Sequence, residues 1–224
     1  MDLIQSLPLF PLSDVVLLPG LSVPLFIFEP RYRQMTRDAL AGSRQIGMVT
    51  VRPDSLELMA GDAPIFDIGC LGRIARAQER PDGTFQILLL GKSRIRILSE
   101  QEREEERLYR SAHVELLCDR EARAEQEIEA EQQARSTLLT LLERLVERSA
   151  RDEDHARTFA GFARLAPAPL VNALTQSISF HPIERQQLLE ADSITSRFEI
   201  MADLLRFRLA ETGASEPGTR PLLN

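Results

Sequence analysis

The chain has 224 residues, of which 43% are hydrophobic, with a formal net charge of −7 and a pI near 5.2. This composition is typical of a globular chain with a sizeable core, and its acidic balance disfavours nonspecific binding to nucleic acid or anionic membranes. The two cysteines lack CxxC spacing, which disfavours a disulfide framework or a zinc site. We see neither a signal peptide nor a membrane-spanning run and therefore expect a cytoplasmic location.

The N-terminal stretch combines apolar runs with prolines at positions 8, 11, 19 and 24. Proline lacks an N–H donor and fixes φ, so no helix passes through this stretch, and its strands should be short, bulged or at a sheet edge. Pro19-Gly20 predicts a turn between two strands. Pro30 suits the first position of a helix that ends near Gly42.

Seven segments up to residue 117 have the alternation or the short apolar runs typical of strands. They are Leu7–Leu12, Leu21–Phe28, Gln45–Arg52, Ile68–Ala77, Phe85–Leu90, Arg94–Ile97 and Tyr109–Leu117. Pro81-Asp82-Gly83 predicts one hairpin turn, and Gly91-Lys92-Ser93 predicts another. Short strands with a single early helix indicate a closed or nearly closed β-barrel.

The composition changes at Asp119, where a segment rich in Glu, Ala, Arg and Gln begins. We predict a long helix from here through Val146, a second helix around Phe159–Leu165 that ends at Pro167, and a third over Leu170–Ile178. His181-Pro182 should open a fourth, and Asp192 or Ser193 should cap a fifth. The predicted organisation is a β-domain over residues 1–118, a helical bundle over 119–212 and a flexible tail over 213–224.

Several of these segments closely resemble the N-terminal domain of Lon proteases, in the same order and over almost the entire chain. They are Leu7–Leu12, Val16–Gly20, Pro24–Tyr32, Ile68–Ile74, Asp82-Gly83, Leu90–Arg94, Tyr109 and Leu188–Asp192. The resemblance implies an α+β fold, with a PUA-like β-barrel domain followed by an all-helical bundle. It also implies a stand-alone substrate-binding-type domain that recognises unfolded or exposed hydrophobic polypeptide, without the ATPase and protease modules of full Lon enzymes.

Other chemistries fit the sequence less well. Leu88–Ser93 imitates the end of a phosphate-binding loop, but Gln86 stands where the first glycine is required. Lys92, the only lysine, and Ser93 would point to opposite sides of a strand, so they could not form a peptidase dyad. We therefore predict no catalytic residue, no metal site and no cofactor.

Two groups of residues are candidates for binding. Phe26 and Phe28 should share one face of a strand, and with Pro30, Arg31 and Tyr32 they are our candidate polypeptide-binding residues, although we expect at least one of the phenylalanines to lie in the core. An extended peptide could also pair with an open sheet edge there. The second group is a possible basic patch of arginines. It comprises Arg73, Arg76, Arg94 and Arg96.

The favoured function is thus a non-enzymatic binding module for unfolded or hydrophobic polypeptide, acting alone or with a protease or chaperone assembly. One alternative is a PUA-type RNA-binding protein that uses the basic patch, which the acidic charge and the lack of interleaved aromatics disfavour. The other is a scaffold that self-associates as a homo-oligomer through the last helix, where Ile200, Leu204 and Phe207 widen the apolar face.

Overall fold

The structure is a computed structural model that describes residues 2–58, 61–119, 121–149 and 159–214. It divides into two compact units, Met1–Cys118 and Asp119–Asn224, called here the β unit and the helical unit. None of the described helices is both long and apolar enough to cross a bilayer.

The β unit contains six strands, one α-helix and a short 3-10 helix. The strands are β1 (Leu3–Leu12), β2 (Ser22–Ile27), β3 (Gln45–Thr50), β4 (Ile68–Glu79), β5 (Phe85–Glu100) and β6 (Ser111–Leu117). Helix α1 covers Pro30–Ala41 and the 3-10 helix covers Pro53–Leu58.

The strand order is β2-β5-β4-β3-β1-β6, and β5 also pairs with β6. That additional pairing closes five strands into a barrel, whereas β2 is attached to β5 outside the closed ring. The β1–β3 pair is parallel and the other pairs are antiparallel. The predicted closed barrel within an α+β fold is therefore confirmed.

Strand β1 accommodates two prolines although it lies between two other strands. The N–H of Leu9 donates to the Arg110 carbonyl, on the β6 side. Because backbone groups alternate in direction along a strand, those of Pro11 also point toward β6, whereas those of Pro8 point toward β3. The β6 ladder ends at the pair Pro8–Ser111, and the β3 ladder starts one residue later, at Leu9. Each missing N–H therefore lies beyond the end of a ladder, so a central position is tolerated. The expected bulge is present between Ile4 and Leu7.

The hairpin turn predicted at Gly91-Lys92-Ser93 is wrong, because β5 continues through it as one strand of 16 residues. Gly91 pairs with Gly72 and Ser93 pairs with Leu71, so Lys92 is the extra residue of a β-bulge. The part of β5 before this bulge pairs with β2, and the part after it pairs with β6. A glycine-containing bulge bends the strand, which here closes the barrel.

The interior of the barrel is filled by aliphatic side chains from several strands, among them Leu7, Leu9, Val49, Ile95 and Val114. Helix α1 has Pro30 as its first residue and ends at Gly42, as the sequence predicts. It buries one face, formed by Tyr32, Met35, Thr36 and Ala39.

The described residues of the helical unit form four longer helices and a short helical segment over 159–163. They are α2 (Glu125–Ser149), α3 (Pro167–Ser177), α4 (Pro182–Glu190) and α5 (Ile194–Ala214). Its buried side chains include Leu138, Leu142, Leu170, Leu174, Phe198, Met201 and Leu205.

Three helix boundaries in this unit differ from the sequence prediction. Helix α2 begins at Glu125 rather than at Asp119, since the Glu127 carboxylate accepts from the backbone N–H groups of residues 123 and 124. Pro167 opens α3 instead of ending the previous helix, because proline is favoured at the first helical position. Helix α5 continues to Ala214, and the rest of the predicted tail, residues 215–224, lies outside the described residues.

Candidate functional site

The candidate site is built on β2, which pairs with β5 alone among the described strands. The carbonyl of Leu21 accepts a hydrogen bond from the N–H of Gly91, so the backbone groups of Leu21, and of every second residue after it, face β5. Those of Ser22, Pro24 and Phe26 consequently face the open edge. Pro24 occupies a position at which its missing donor costs no sheet hydrogen bond.

Two phenylalanines project from the outer face of this strand. Phe26 is 49% exposed and Phe28 is 60% exposed, whereas Ile27 between them is buried. Their ring centroids are 6.0 Å apart with an interplanar angle of 29°, which confirms that they share one face. The expectation that at least one of them lies in the core is wrong, because the inward positions of β2 are taken by Ile27 and the partly buried Leu25 and Val23.

The three predicted site residues at the start of α1 have different surroundings. Pro30 is exposed, whereas Tyr32 is buried, packs against Phe10 with a centroid distance of 4.5 Å, and has a pKa raised by that burial. Arg31 lies 4.5 Å over the Tyr32 ring and donates to the Glu29 carboxylate at 2.9 Å. The exposed apolar surface is therefore made by Phe26, Phe28 and Pro30, while Arg31 and Tyr32 anchor the helix beneath it.

Arg80 is a further residue of the candidate site, and it is not among the residues predicted from the sequence. Its guanidinium lies 5.1 Å from the ring centroid of Phe26, within cation–π distance. It belongs to the β4–β5 hairpin, and the register that pairs Phe26 with Gln86 brings it beside β2. The signal available in the sequence was the Pro81-Asp82-Gly83 turn, which places residue 80 opposite the first residues of β5.

The four arginines of the predicted basic patch do not form one patch. Arg94 is buried, with its guanidinium donating to the Cys118 carbonyl at the end of β6, and Arg96 pairs with Glu115 at 3.6 Å. Arg96 is opposite Ile68 and Arg73 is opposite Leu90, six positions away along β5. At about 3.3 Å per residue the two lie roughly 20 Å apart.

Arg73 and Arg76 instead share the outer face of β4 with the aromatic pair of β2. Cross-strand partners in an antiparallel sheet project to the same side. Phe26 pairs with Gln86, which pairs with Gln78, and in the next row Pro24 pairs with Leu88, which pairs with Arg76. We call this surface of β2, β5 and β4 the outer sheet face. It includes an open groove lined by Arg44, Arg76, Ala77, Gln78, Gln86, Ile87 and Leu88.

No group of three or more His, Cys, Asp or Glu side chains within the described parts of the chain is placed to hold a metal ion. The Ser93 hydroxyl donates to the Leu117 carbonyl, while Lys92 is exposed at the bulge. His181 accepts from the N–H of Ile183 and caps α4. Ser93 and His181 thus each form a hydrogen bond with a backbone group.

Comparison with known proteins gives a consistent result. The model of the family described as "ATP-dependent protease La (LON) substrate-binding domain" matches residues 6–206. The Lon protease of Xanthomonas oryzae pv. oryzae is 27% identical over 203 residues, which are 90% of this chain and 23% of that protein. The Lon protease of Dictyoglomus thermophilum is 26% identical over 198 residues, 88% of this chain and 24% of that protein. The chain spans about a quarter of the length of these relatives.

Solved structures show the same fold. The crystal structure of a Lon N-terminal domain protein from Xanthomonas campestris has a TM-score of 0.59 at 25% identity, covering 91% of this chain and 99% of that chain. The N-terminal domain of Mycobacterium avium complex Lon protease has a TM-score of 0.63 at 20% identity, covering 90% of this chain and 98% of that chain. At this identity the comparison shows a similar fold and nothing more. Because the family model covers most of the residues, the chain belongs to the Lon protease substrate-binding domain family.

Proposed function

We propose that the protein is a binding module for unfolded or exposed hydrophobic polypeptide and acts by binding rather than by catalysis. The observation that carries this proposal is the open edge of β2, which presents unpaired backbone groups beside the exposed rings of Phe26 and Phe28. Membership of a substrate-binding domain family supports the same function.

The two features of the site complement each other. An extended segment added to the β2 edge gains main-chain hydrogen bonds that do not depend on its sequence. The aromatic pair adds contact area for apolar side chains, because large exposed rings in one patch gain free energy when water is excluded from them. Together they suit a receptor for many unfolded chains.

The proposal also includes a protease or chaperone assembly that receives the bound polypeptide. The matching relatives are Lon proteases about four times as long as the aligned region, so we propose that bound polypeptide is held for a protease or chaperone assembly in the cytoplasm. A degradation assay tests this: a Lon protease should degrade an unfolded client at a different rate when the protein is added. An unchanged rate would contradict the proposed assembly.

The binding itself is testable by fluorescence anisotropy with labelled peptides from a denatured client protein. The variant Phe26→Ser/Phe28→Ser should weaken binding by about tenfold or more, since two exposed rings are removed while the buried Ile27 remains. The matched control is Phe207→Ser, because Phe207 is 62% exposed and lies on α5. Equal losses for the two variants, or no peptide binding at all, would overturn the proposal.

Backbone pairing with the edge is tested by N-methylated peptides. Methyl groups on alternate residues block only one edge of an extended peptide. Blocking one set of alternate N–H groups should abolish binding, and blocking the other set should leave most of it. Equal tolerance of both sets would exclude pairing with β2 and leave contact with the rings as the binding mode.

Self-association is a second candidate, favoured by the exposure of Phe207 beside the partly buried Ile200 and Leu204 on α5. Sedimentation should then give a mass that rises with concentration, and Phe207→Ser should remove the rise. A constant monomer mass would exclude it.

A further inference from the structure

The outer sheet face carries an apolar column and a basic column on either side of β5. Phe26 and Phe28 stand on the β2 side, Gln86 and Leu88 on β5, and Arg73 and Arg76 on the β4 side. Neighbouring strands are about 4.8 Å apart, so the two columns are separated by roughly 10 Å across the strands. They are also offset along the strands, since Phe26 is in the row of Gln86, whereas Arg76 and Arg73 are in the next two rows, opposite Leu88 and Leu90. One extended chain lying over β5 would therefore pass the aromatic rings first and reach the arginines about two to four residues further along.

The arginines of this face differ in their surroundings from most exposed arginines of the β unit. Arg37, Arg96 and Arg103, for example, each form an ion pair with a nearby carboxylate. Arg73 and Arg76 are exposed and form no ion pair with any described residue. The charge of these two guanidinium groups is therefore available to a ligand.

Among the described residues that β2, β5 and β4 place on this face, none is acidic, and Asp82, which Arg80 affects electrostatically, belongs to the adjoining hairpin turn. The residues that the register places there from β2, β5 and β4 are neutral or basic. The nearest acidic residue along β4, Glu79, alternates to the opposite face and pairs with Arg37 on α1 at 2.9 Å. Arg80 adds a third positive charge directly over the Phe26 ring.

We propose that the outer sheet face selects polypeptide segments in which carboxylate side chains accompany hydrophobic ones, over neutral or basic hydrophobic segments. This inference rests on the proposed function and names its substrate class: a part of the bound polypeptide that does not pair with the β2 edge lies across the outer sheet face next to that edge. The aromatic column takes the apolar side chains, and Arg73 and Arg76 take the carboxylates. Charge complementarity at an exposed surface acts mainly on selectivity and on the rate of association.

A polypeptide fits the face better than single-stranded nucleic acid does. Base stacking needs accessible ring faces, whereas Phe26 and Phe28 stack against each other and Arg80 lies over Phe26. The chain also has a net charge of −7, which opposes the approach of a polyphosphate backbone.

The test uses the full chain and three labelled twelve-residue peptides with one hydrophobic core, flanked at two positions by Glu, by Gln or by Lys. The Glu peptide should bind about threefold to tenfold more tightly than the Gln peptide, as expected for two exposed ion pairs, and the Lys peptide should bind most weakly. The preference should shrink as salt is raised from 50 to 500 mM, because exposed charges are screened. The variant Arg73→Gln/Arg76→Gln should remove most of it.

The control variant Arg103→Gln/Arg206→Gln also removes two positive charges, one from a loop of the β unit and one from α5, and should keep the preference. Equal affinity for the Glu and Gln peptides, or the same loss in both double variants, would overturn the inference while leaving polypeptide binding intact. Failure of all three peptides to bind would instead overturn the proposed function. Tighter binding of a single-stranded RNA 12-mer that displaces the peptides would assign the face to nucleic acid.

Discussion

Replacing Gly91 by alanine should destabilise the β unit, because this residue lies at the bulge that bends β5. A Cβ atom on Gly91 would lie 2.2 Å from the Leu18 carbonyl oxygen and 2.9 Å from its carbonyl carbon, and a backbone neighbour cannot rotate away. Gly91 also exchanges hydrogen bonds with the preceding loop, donating to the Leu21 carbonyl at 2.9 Å and accepting from the Gly20 N–H at 3.0 Å. The substitution pushes this loop away from β5.

The size of the effect follows from those contacts. Overpacking a tight site costs about 1 to 3 kcal/mol, and weakening two hydrogen bonds adds about 0.5 to 1.5 kcal/mol each. We therefore expect the free energy of unfolding to fall by about 2 to 6 kcal/mol. In urea, that fall lowers the midpoint by about 1 to 3 M.

The chain offers a signal that isolates the β unit. It contains no tryptophan and two tyrosines, Tyr32 and Tyr109, and both lie in that unit. Tyrosine fluorescence in urea should therefore follow β-unit unfolding, whereas circular dichroism at 222 nm should follow mainly the helical unit. The Gly91→Ala substitution should lower the urea midpoint measured by tyrosine fluorescence.

Gly161→Ala is the matched control, since nothing lies within 4 Å of a Cβ atom built on that helical glycine. It should leave the tyrosine transition unchanged and stabilise its helical segment by about 0.5 to 1 kcal/mol. A Gly91→Ala protein that unfolds within 0.5 kcal/mol of the parent would refute the close contact with Leu18 and the argument built on it.

Three further outcomes follow from buried or paired groups. Arg197→Met should destabilise the helical unit by about 2 to 4 kcal/mol in urea followed at 222 nm, because this buried guanidinium donates twice to one carboxylate and twice to backbone carbonyls. Arg206→Met, at an exposed pair, should change stability by less than 0.5 kcal/mol, and similar losses would contradict the distinction. A thiol reagent should label one equivalent in the native protein, at exposed Cys118. Cys70 should react only after unfolding, because burial raises its pKa to about 12. Burial and the hydrogen bond to the Asp38 carboxylate raise the pKa of Tyr109 to about 12. The contribution of this residue to the free energy of unfolding should therefore be complete below pH 10 and lost as the pH rises toward 12. Phenolate absorbance that appears near pH 10 for both tyrosines would contradict this expectation.

The candidate site shows which features local sequence patterns predict and which they do not. Alternation correctly placed Phe26 and Phe28 on one face, because side chains alternate along any strand regardless of its neighbours. Which of the two faces is covered depends on the elements packed against it, so the expected burial of one ring was wrong. Arg80 and the pairing of Arg76 with Leu88 depend on register between strands, which no single segment specifies.

Arginine provides a second example. The alternation of residues 94 to 97 predicted one exposed basic face, yet Arg94 is buried against the Cys118 carbonyl where β6 ends. A long side chain can satisfy its charge with backbone groups that only the fold brings near. Periodicity thus gives side-chain direction and leaves the surroundings undetermined.

The sequence by itself determined which segments form most of the strands and helices, that α1 begins at Pro30 and ends at Gly42, and that the composition changes from a β part to a helical part near residue 119. These features depend on local dihedral preferences and on short-range periodicity. Only the tertiary structure decided that Gly91 lies in a bent strand rather than in a turn, that β2 is left with an open edge, and that an aromatic and a basic column share one face. These features depend on pairing between segments far apart in the chain, and that pairing is determined by packing of the whole barrel.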